Sequence, residues 1–313
     1  MTASPQIALA SPQNLADIAA CLAALPVADL EAATVARTKA VADGLEPLSA
    51  DLLAWLAAWQ KRSPPRLDHP RIIMFAADHG VGKGKNPAKP QVERILEGRA
   101  ALCQQAEVCD ADLRLYELDL STPTADLTTG AAMGEGECTA AIVYGMMAVE
   151  MGVDVIALGC VSGDTQLVAA VLAKLLGHDE AATDWTLAEE APLRDAATAL
   201  HTATATSPLE LLRCAGGREI AAMLGVMIAA RMARMPVVIE GAGGLIAAAL
   251  LHRLDPRAVQ HCLFVGAPMD CAAKHLAAEL NLLAVMGESD DAEAGLAASA
   301  MIPMLRFAAR QTG

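Results

Sequence analysis

The chain has 313 residues, of which 54% are hydrophobic and 3% aromatic, and a formal net charge of −14 at pH 7. So acidic a chain offers no basic surface to neutralise a nucleic-acid backbone, and no apolar run is long enough to span a bilayer. The length suits one large domain, or one domain with a small appendage, whose core is filled by Ala, Leu, Val and Met rather than by rings.

Residues 1–65 read as helix alone, a helical amino-terminal segment of a smaller subdomain, and residues 66–313 read as the main α/β domain. Residues 14–25, 29–42 and 50–60 each carry one apolar face, and Ser63-Pro64-Pro65 breaks the pattern. There is no basic stretch followed by an apolar leader, so a soluble, cytoplasmic protein is expected. From residue 71 onward, short apolar runs at 71–76, 112–118, 154–158, 236–239, 262–265 and 281–285 alternate with alanine-rich helical stretches. Apolar strands alternating with helices predict a six-stranded, mainly parallel, doubly wound sheet. Each run ends in small or acidic residues, and in such sheets ligands bind at the carboxyl ends of the strands. Residues 178–208 look like a helical excursion from the sheet. Residues 217–232 carry Ile220, Met223, Leu224, Met227 and Ile228 on one helical face, a stripe read as core.

Three of the strand ends hold candidate chemistry. Asp78-His79-Gly80 follows the first strand, where the acid and the imidazole can form an acid–base pair or Asp78 can cap the next element. Glu240-Gly241-Ala242-Gly243-Gly244 precedes a helix, where glycine admits a close ligand and the helix amino terminus favours anions. Its spacing matches neither the dinucleotide nor the P-loop pattern. The stretch 287–295 brings Glu288, Asp290, Asp291 and Glu293 together. Crowded carboxylates suit a general base or a metal site, and equally an acidic helix start. The eight cysteines form no C-x-x-C pair and read as reduced, buried small hydrophobes. Cys160 is set apart because it directly follows a strand. The acids of Met133-Gly134-Glu135-Gly136-Glu137 fall on a helix and are read as solvated.

Four stretches taken together resemble the nicotinate-nucleotide:dimethylbenzimidazole phosphoribosyltransferase family over roughly residues 25–310. They are Phe75-Ala76-Ala77-Asp78-His79-Gly80-Val81; Gly130-Ala131-Ala132-Met133; Gly216-Gly217-Arg218-Glu219-Ile220-Ala221-Ala222-Met223 with Pro236-Val237-Val238-Ile239-Glu240-Gly241 and Ala247-Ala248-Ala249-Leu250; and the terminal stretch from Gly287-Glu288 to Ala298. The resemblance implies transfer of phosphoribose from nicotinate mononucleotide to 5,6-dimethylbenzimidazole or a related base, within cobalamin lower-ligand assembly. It also implies a glutamate in the terminal loop as general base, and a homodimer. Glu288 keeps the family's Gly-Glu dipeptide, whereas Glu293 keeps the spacing to Gly295 and Ala297-Ala298, so either fits the base position. Asp78, His79, Gly80, Gly159, Cys160, Gly163, Asp164, Thr165, Glu240 and Gly241 are the expected substrate-binding residues.

The chain also departs from the family. Where the family has Gly-Glu-Met-Gly-Ile-Gly-Asn-Thr-Thr, this sequence has Gly159-Cys160-Val161-Ser162-Gly163-Asp164-Thr165-Gln166. The family's Lys-Pro-Pro-Gly-Ser-Leu-Gly has become Leu45-Glu46-Pro47-Leu48-Ser49-Ala50-Asp51. These changes leave open a catalytically silent, nucleotide-binding relative, or a transferase for a different base. The acids lack the paired spacing and adjacent Thr of a metal–diphosphate loop, so neither metal nor cofactor is expected.

Overall fold

A computed structural model of the protein describes residues 12–81, 87–202, 207–267, 272–286 and 293–311. The first helices are α1 (Leu15–Ala20), α2 (Leu30–Ala42) and α3 (Pro47–Gln60), followed by β1 (Pro70–Ala76), α4 (Lys89–Leu96), α5 (Ala101–Val108) and β2 (Asp112–Glu117). Next come α6 (Glu135–Met147), β3 (Val155–Val161), α7 (Thr165–Leu176), α8 (Asp179–Asp184), α9 (Ala191–His201), α10 (Pro208–Ala215) and α11 (Arg218–Met232). The rest is β4 (Val237–Glu240), α12 (Gly241–Leu254), β5 (Cys262–Ala267), α13 (Ala272–Glu279), β6 (Leu283–Met286) and α14 (Leu296–Gln311). None of the described helices is long and apolar enough to cross a membrane.

All six expected strands form, within two or three residues of the boundaries read from sequence, and every pairing is parallel rather than mainly so. Their order is β2-β1-β3-β4-β5-β6. After β1 the chain moves outward to β2, then returns to place β3 on the other side of β1. The β1/β3 junction is therefore the topological switch point, where a crevice opens at the carboxyl ends. β1 is buried on both faces along its whole length, as an unbroken apolar run requires, while the edge strand β2 is nowhere fully buried. β3 runs further than its apolar pattern suggests. Cys160 and Val161 still pair with Phe75 and Ala76, so Cys160 lies inside the strand and not after it.

The stripe on helix α11 is core, as expected, and the burial goes further. Besides the expected stripe, Ala221, Ala222, Gly225, Val226 and Ala230 are also buried, so the helix is enclosed on all sides and not on one face. A helix apolar all round is a core helix. Its last turn carries Arg231, which is 1% exposed and lies 4.1 Å over the Trp59 ring. His261, fully buried at the amino end of β5, meets the same ring edge-on at 5.9 Å.

Helix α14 joins two apolar clusters. Ala298, Met301, Ile302 and Leu305 pack with the sheet, whereas Ala308 and Ala309 pack with Ala36, Ala40, Ala50, Leu53 and Ala57 of α2 and α3. Pro303 stands inside this helix. It has no N–H for the Ser299 carbonyl, and that carbonyl accepts instead from Cys109 Sγ at 3.5 Å. The described cysteines are all free.

Candidate active site

The functional side chains gather where β1, β3 and β4 end. Asp78 does not pair with His79. Its Oδ1 accepts the Ala88 N–H at 2.7 Å, just ahead of α4, so the capping alternative describes it. His79 turns inward, and its Nε2 meets Glu219 Oε1 at 2.9 Å with both side chains fully buried. The same carboxylate oxygen accepts from Thr165 Oγ1 at 3.0 Å. Burial opposes charge on the imidazole, yet Glu219, with Asp164 and Asp78 beyond it, holds His79 above its ordinary value. Burial likewise opposes charge on Glu219, and His79 with the Thr165 hydroxyl holds it below the usual carboxylate range. Both shifts favour the imidazolium–carboxylate form of the pair. Gly217, the N-cap of α11, is what admits it, because a Cβ there would run into His79 Cε1 and Glu219.

Three long helices start at this spot. Thr165 opens α7, Glu219 sits in the first turn of α11, and Gly243 in the first turn of α12 is close enough that a Cβ would touch Thr165 Cγ2 and Cys160 Sγ. The N-caps Asp164, Gly217 and Glu240 make no side-chain cap hydrogen bond to their own helices. Their backbone N–H groups add up to an anion-favouring floor. Gly163 is exposed at its edge, and Gly241 begins α12 with a φ of 65°. His79 Nδ1, Ser162 Oγ and Thr124 Oγ1 are buried and without a hydrogen-bond partner among the described residues. Thr124 lies on the loop after β2, which crosses so near β1 that a Cβ on Gly80 would strike its carbonyl.

Cys160 carries no activated thiol. Burial pushes it well up, and Glu219 and Glu240 on either side push the same way. Glu240 reaches across the sheet to α14, its carboxylate accepting the N–H of Ala298 at 2.7 Å and also that of Gly295. Gly159 makes room for this reach, since a Cβ there would come within 2.9 Å of Glu240 Oε1.

Of the two candidate bases, Glu288 lies outside the described residues, as do Asp290 and Asp291. Glu293 lies just before α14, its side chain 13% exposed, with Oε2 3.2 Å from Arg94 Nη2 and Oε1 3.3 Å from the Leu102 N–H. The acids around residue 135 also differ from expectation. Glu135 is exposed, but Glu137 binds Arg218 at 2.5 Å, and Arg218 in turn donates to the Leu118, Asp119 and Thr122 carbonyls. Glu219 is the site residue that reading the sequence for chemistry passed over. A lone acid two residues after Gly216-Gly217, in an otherwise apolar helix, was the available signal.

Residues 26–312 match the family described as Phosphoribosyltransferase. A Brucella canis protein named nicotinate-nucleotide–dimethylbenzimidazole phosphoribosyltransferase is 35% identical over 266 residues, 79% of this chain and 75% of its own length. A protein of the same name from Brucella melitensis biotype 1 is 37% identical over 231 residues, 68% of each chain. The crystal structure of the enzyme of that name from Thermus thermophilus superposes with a TM-score of 0.78 at 25% identity, covering 91% of this chain and 96% of that one. A structure titled CobT from the same organism gives 0.77 at 26% identity, covering 90% and 96%.

Proposed function

The chain belongs to the nicotinate-nucleotide:dimethylbenzimidazole phosphoribosyltransferase family, and from that premise we propose that it transfers phosphoribose from nicotinate mononucleotide to 5,6-dimethylbenzimidazole or a related base. The products are α-ribazole phosphate and nicotinate, within cobalamin lower-ligand assembly in the cytoplasm. The observation that carries the reading is the convergence of three helix amino termini on one rim with the carboxylates of Asp164 and Glu240, while Glu219 lies buried beneath them. The donor is a cationic pyridinium on a hydroxylated sugar with a phosphate tail. Backbone N–H groups suit the phosphate, and carboxylates suit both the hydroxyls and the positive charge on the pyridinium and the anomeric carbon.

In the reaction the bond from the anomeric carbon to the pyridinium nitrogen breaks, and its electron pair stays with nicotinate. A ring nitrogen of the base forms the new bond, and the proton of its azole N–H goes to Glu288 or Glu293. Holding the base and the sugar in line accounts for much of the rate. Asp78, His79, Gly80, Gly159, Cys160, Gly163, Asp164, Thr165, Glu240 and Gly241 form or support the pockets. Glu293 is already engaged by Arg94 and Leu102, which supports a second duty in fastening the loop.

Incubation with nicotinate mononucleotide and a panel of azole and phenolic bases should release nicotinate, and release should persist in excess chelator. Turnover that survives loss of both Glu288 and Glu293 would refute the assignment of the base. Complete loss in chelator, restored by magnesium alone, would refute a metal-free route. The exposed apolar residues Leu30, Val35 and Val41 of α2, with Val27 just before it, support a homodimer, to be tested by sedimentation.

A further inference from the structure

Three separate stretches of chain meet at one oxygen atom under the floor of the site. Glu219 Oε1 takes the imidazole from the end of β1 at 2.9 Å and the hydroxyl that opens α7 at 3.0 Å, while its own backbone begins α11. Both side chains of the ion pair are 0% exposed, so neither touches a ligand directly. Resting on the transferase reading above, we propose that His79 is a positioning residue for the transfer. It holds Glu219, and through it Thr165, so that the amino ends of α7 and α11 keep the register that receives the donor nucleotide.

The clamp depends on charge as well as on shape. The groups facing the imidazole are Asp78 on its own segment, Asp164 beside α7 and Glu219 on α11, while the Cys160 thiol on β3 lies between Glu219 and Glu240 at the end of β4. Asp78, Asp164 and Glu219 surround the His79 ring, and their field favours its charged form. Loss of its proton leaves Glu219 buried beside a neutral ring, with like charges around it. The clamp is therefore closed below the raised value of His79 and opens as pH rises through it. A glutamine at position 79 can still hydrogen-bond Glu219, but it carries no charge to lose.

The test follows kcat/KM for nicotinate mononucleotide against pH in the wild type, His79→Gln and Glu219→Gln, alongside NMR titration of the histidine rings in the wild type. Wild-type kcat/KM should fall along an alkaline limb. His79→Gln should be lower at neutral pH by on the order of 100-fold, mostly in KM, and should lack that limb. Glu219→Gln should move the limb toward lower pH. A purely structural role would leave the limb in His79→Gln where the wild type has it, and that result overturns the proposal. So does a His79 ring that is neutral in the folded wild type at neutral pH, a measurement that needs neither turnover nor a folded variant. If no base is ever turned over, the transferase reading fails. The ring titration, with calorimetry of nicotinate mononucleotide binding to the wild type and His79→Gln, then still decides the positioning role: unchanged affinity overturns it.

Discussion

The two rims of the sheet bury the same kind of residue and reach opposite results. At the carboxyl rim, His79 is enclosed among carboxylates that hold it above its ordinary value. At the amino rim, His261 is equally enclosed, but its nearest ionised neighbour is Arg231, and burial with that cation depresses it to about 3. Arg231 itself is lowered to about 10, chiefly by burial. Its Nε and Nη1 have no hydrogen-bond partner among the described residues, and the Trp59 face and the Asp255 carboxylate offer partial compensation. Burial alone therefore does not decide protonation here; the neighbours do. One rim places a buried ion pair beside a ligand crevice, and the other packs a buried guanidinium against an aromatic ring.

The comparison breaks most severely at Glu219. Glu219→Ala leaves His79 enclosed without its counter-ion and should cost about 3–5 kcal/mol of stability, read by urea denaturation. The pH dependence sharpens the contrast. A histidine depressed in the folded state stabilises above its unfolded value and loses that contribution as pH falls toward about 3. The amino rim should thus fail in acid, the loss starting near pH 6.5, the unfolded histidine value, and reaching about 3 kcal/mol by roughly pH 4.3. His261→Asn should flatten that acid limb of the stability profile. The His79–Glu219 pair works the other way for its imidazole, losing its contribution as pH rises through the raised value of His79. The smallest effect is expected for Trp59→Leu, which keeps apolar volume but removes the ring under Arg231. About 2 kcal/mol should be lost, with kcat/KM unchanged. A large fall in kcat/KM would show the two rims to be coupled.

The fold was legible because buried parallel strands must be apolar along their length, which makes them stand out between helices. The end of β3 was not, because Gly159 looks like a stop while pairing to β1 continues past it. The strand-end residues Asp78, His79, Asp164, Thr165 and Glu240 could be placed on one rim from their order alone. Their partners could not. Glu219 is 140 residues from His79 and sits where an acid normally just complements a helix start. Arg231 was hidden for the mirror reason, since a basic residue in the last turn of a helix is ordinarily solvated.

Helix α14 has 16 residues, so it is a strut about 24 Å long. One end is gripped by Glu240 inside the crevice, and the other is embedded between α2 and α3. The crevice and the amino-terminal helices are thus spliced by one continuous rod. The rung missing at Pro303 is the weakest point of that rod.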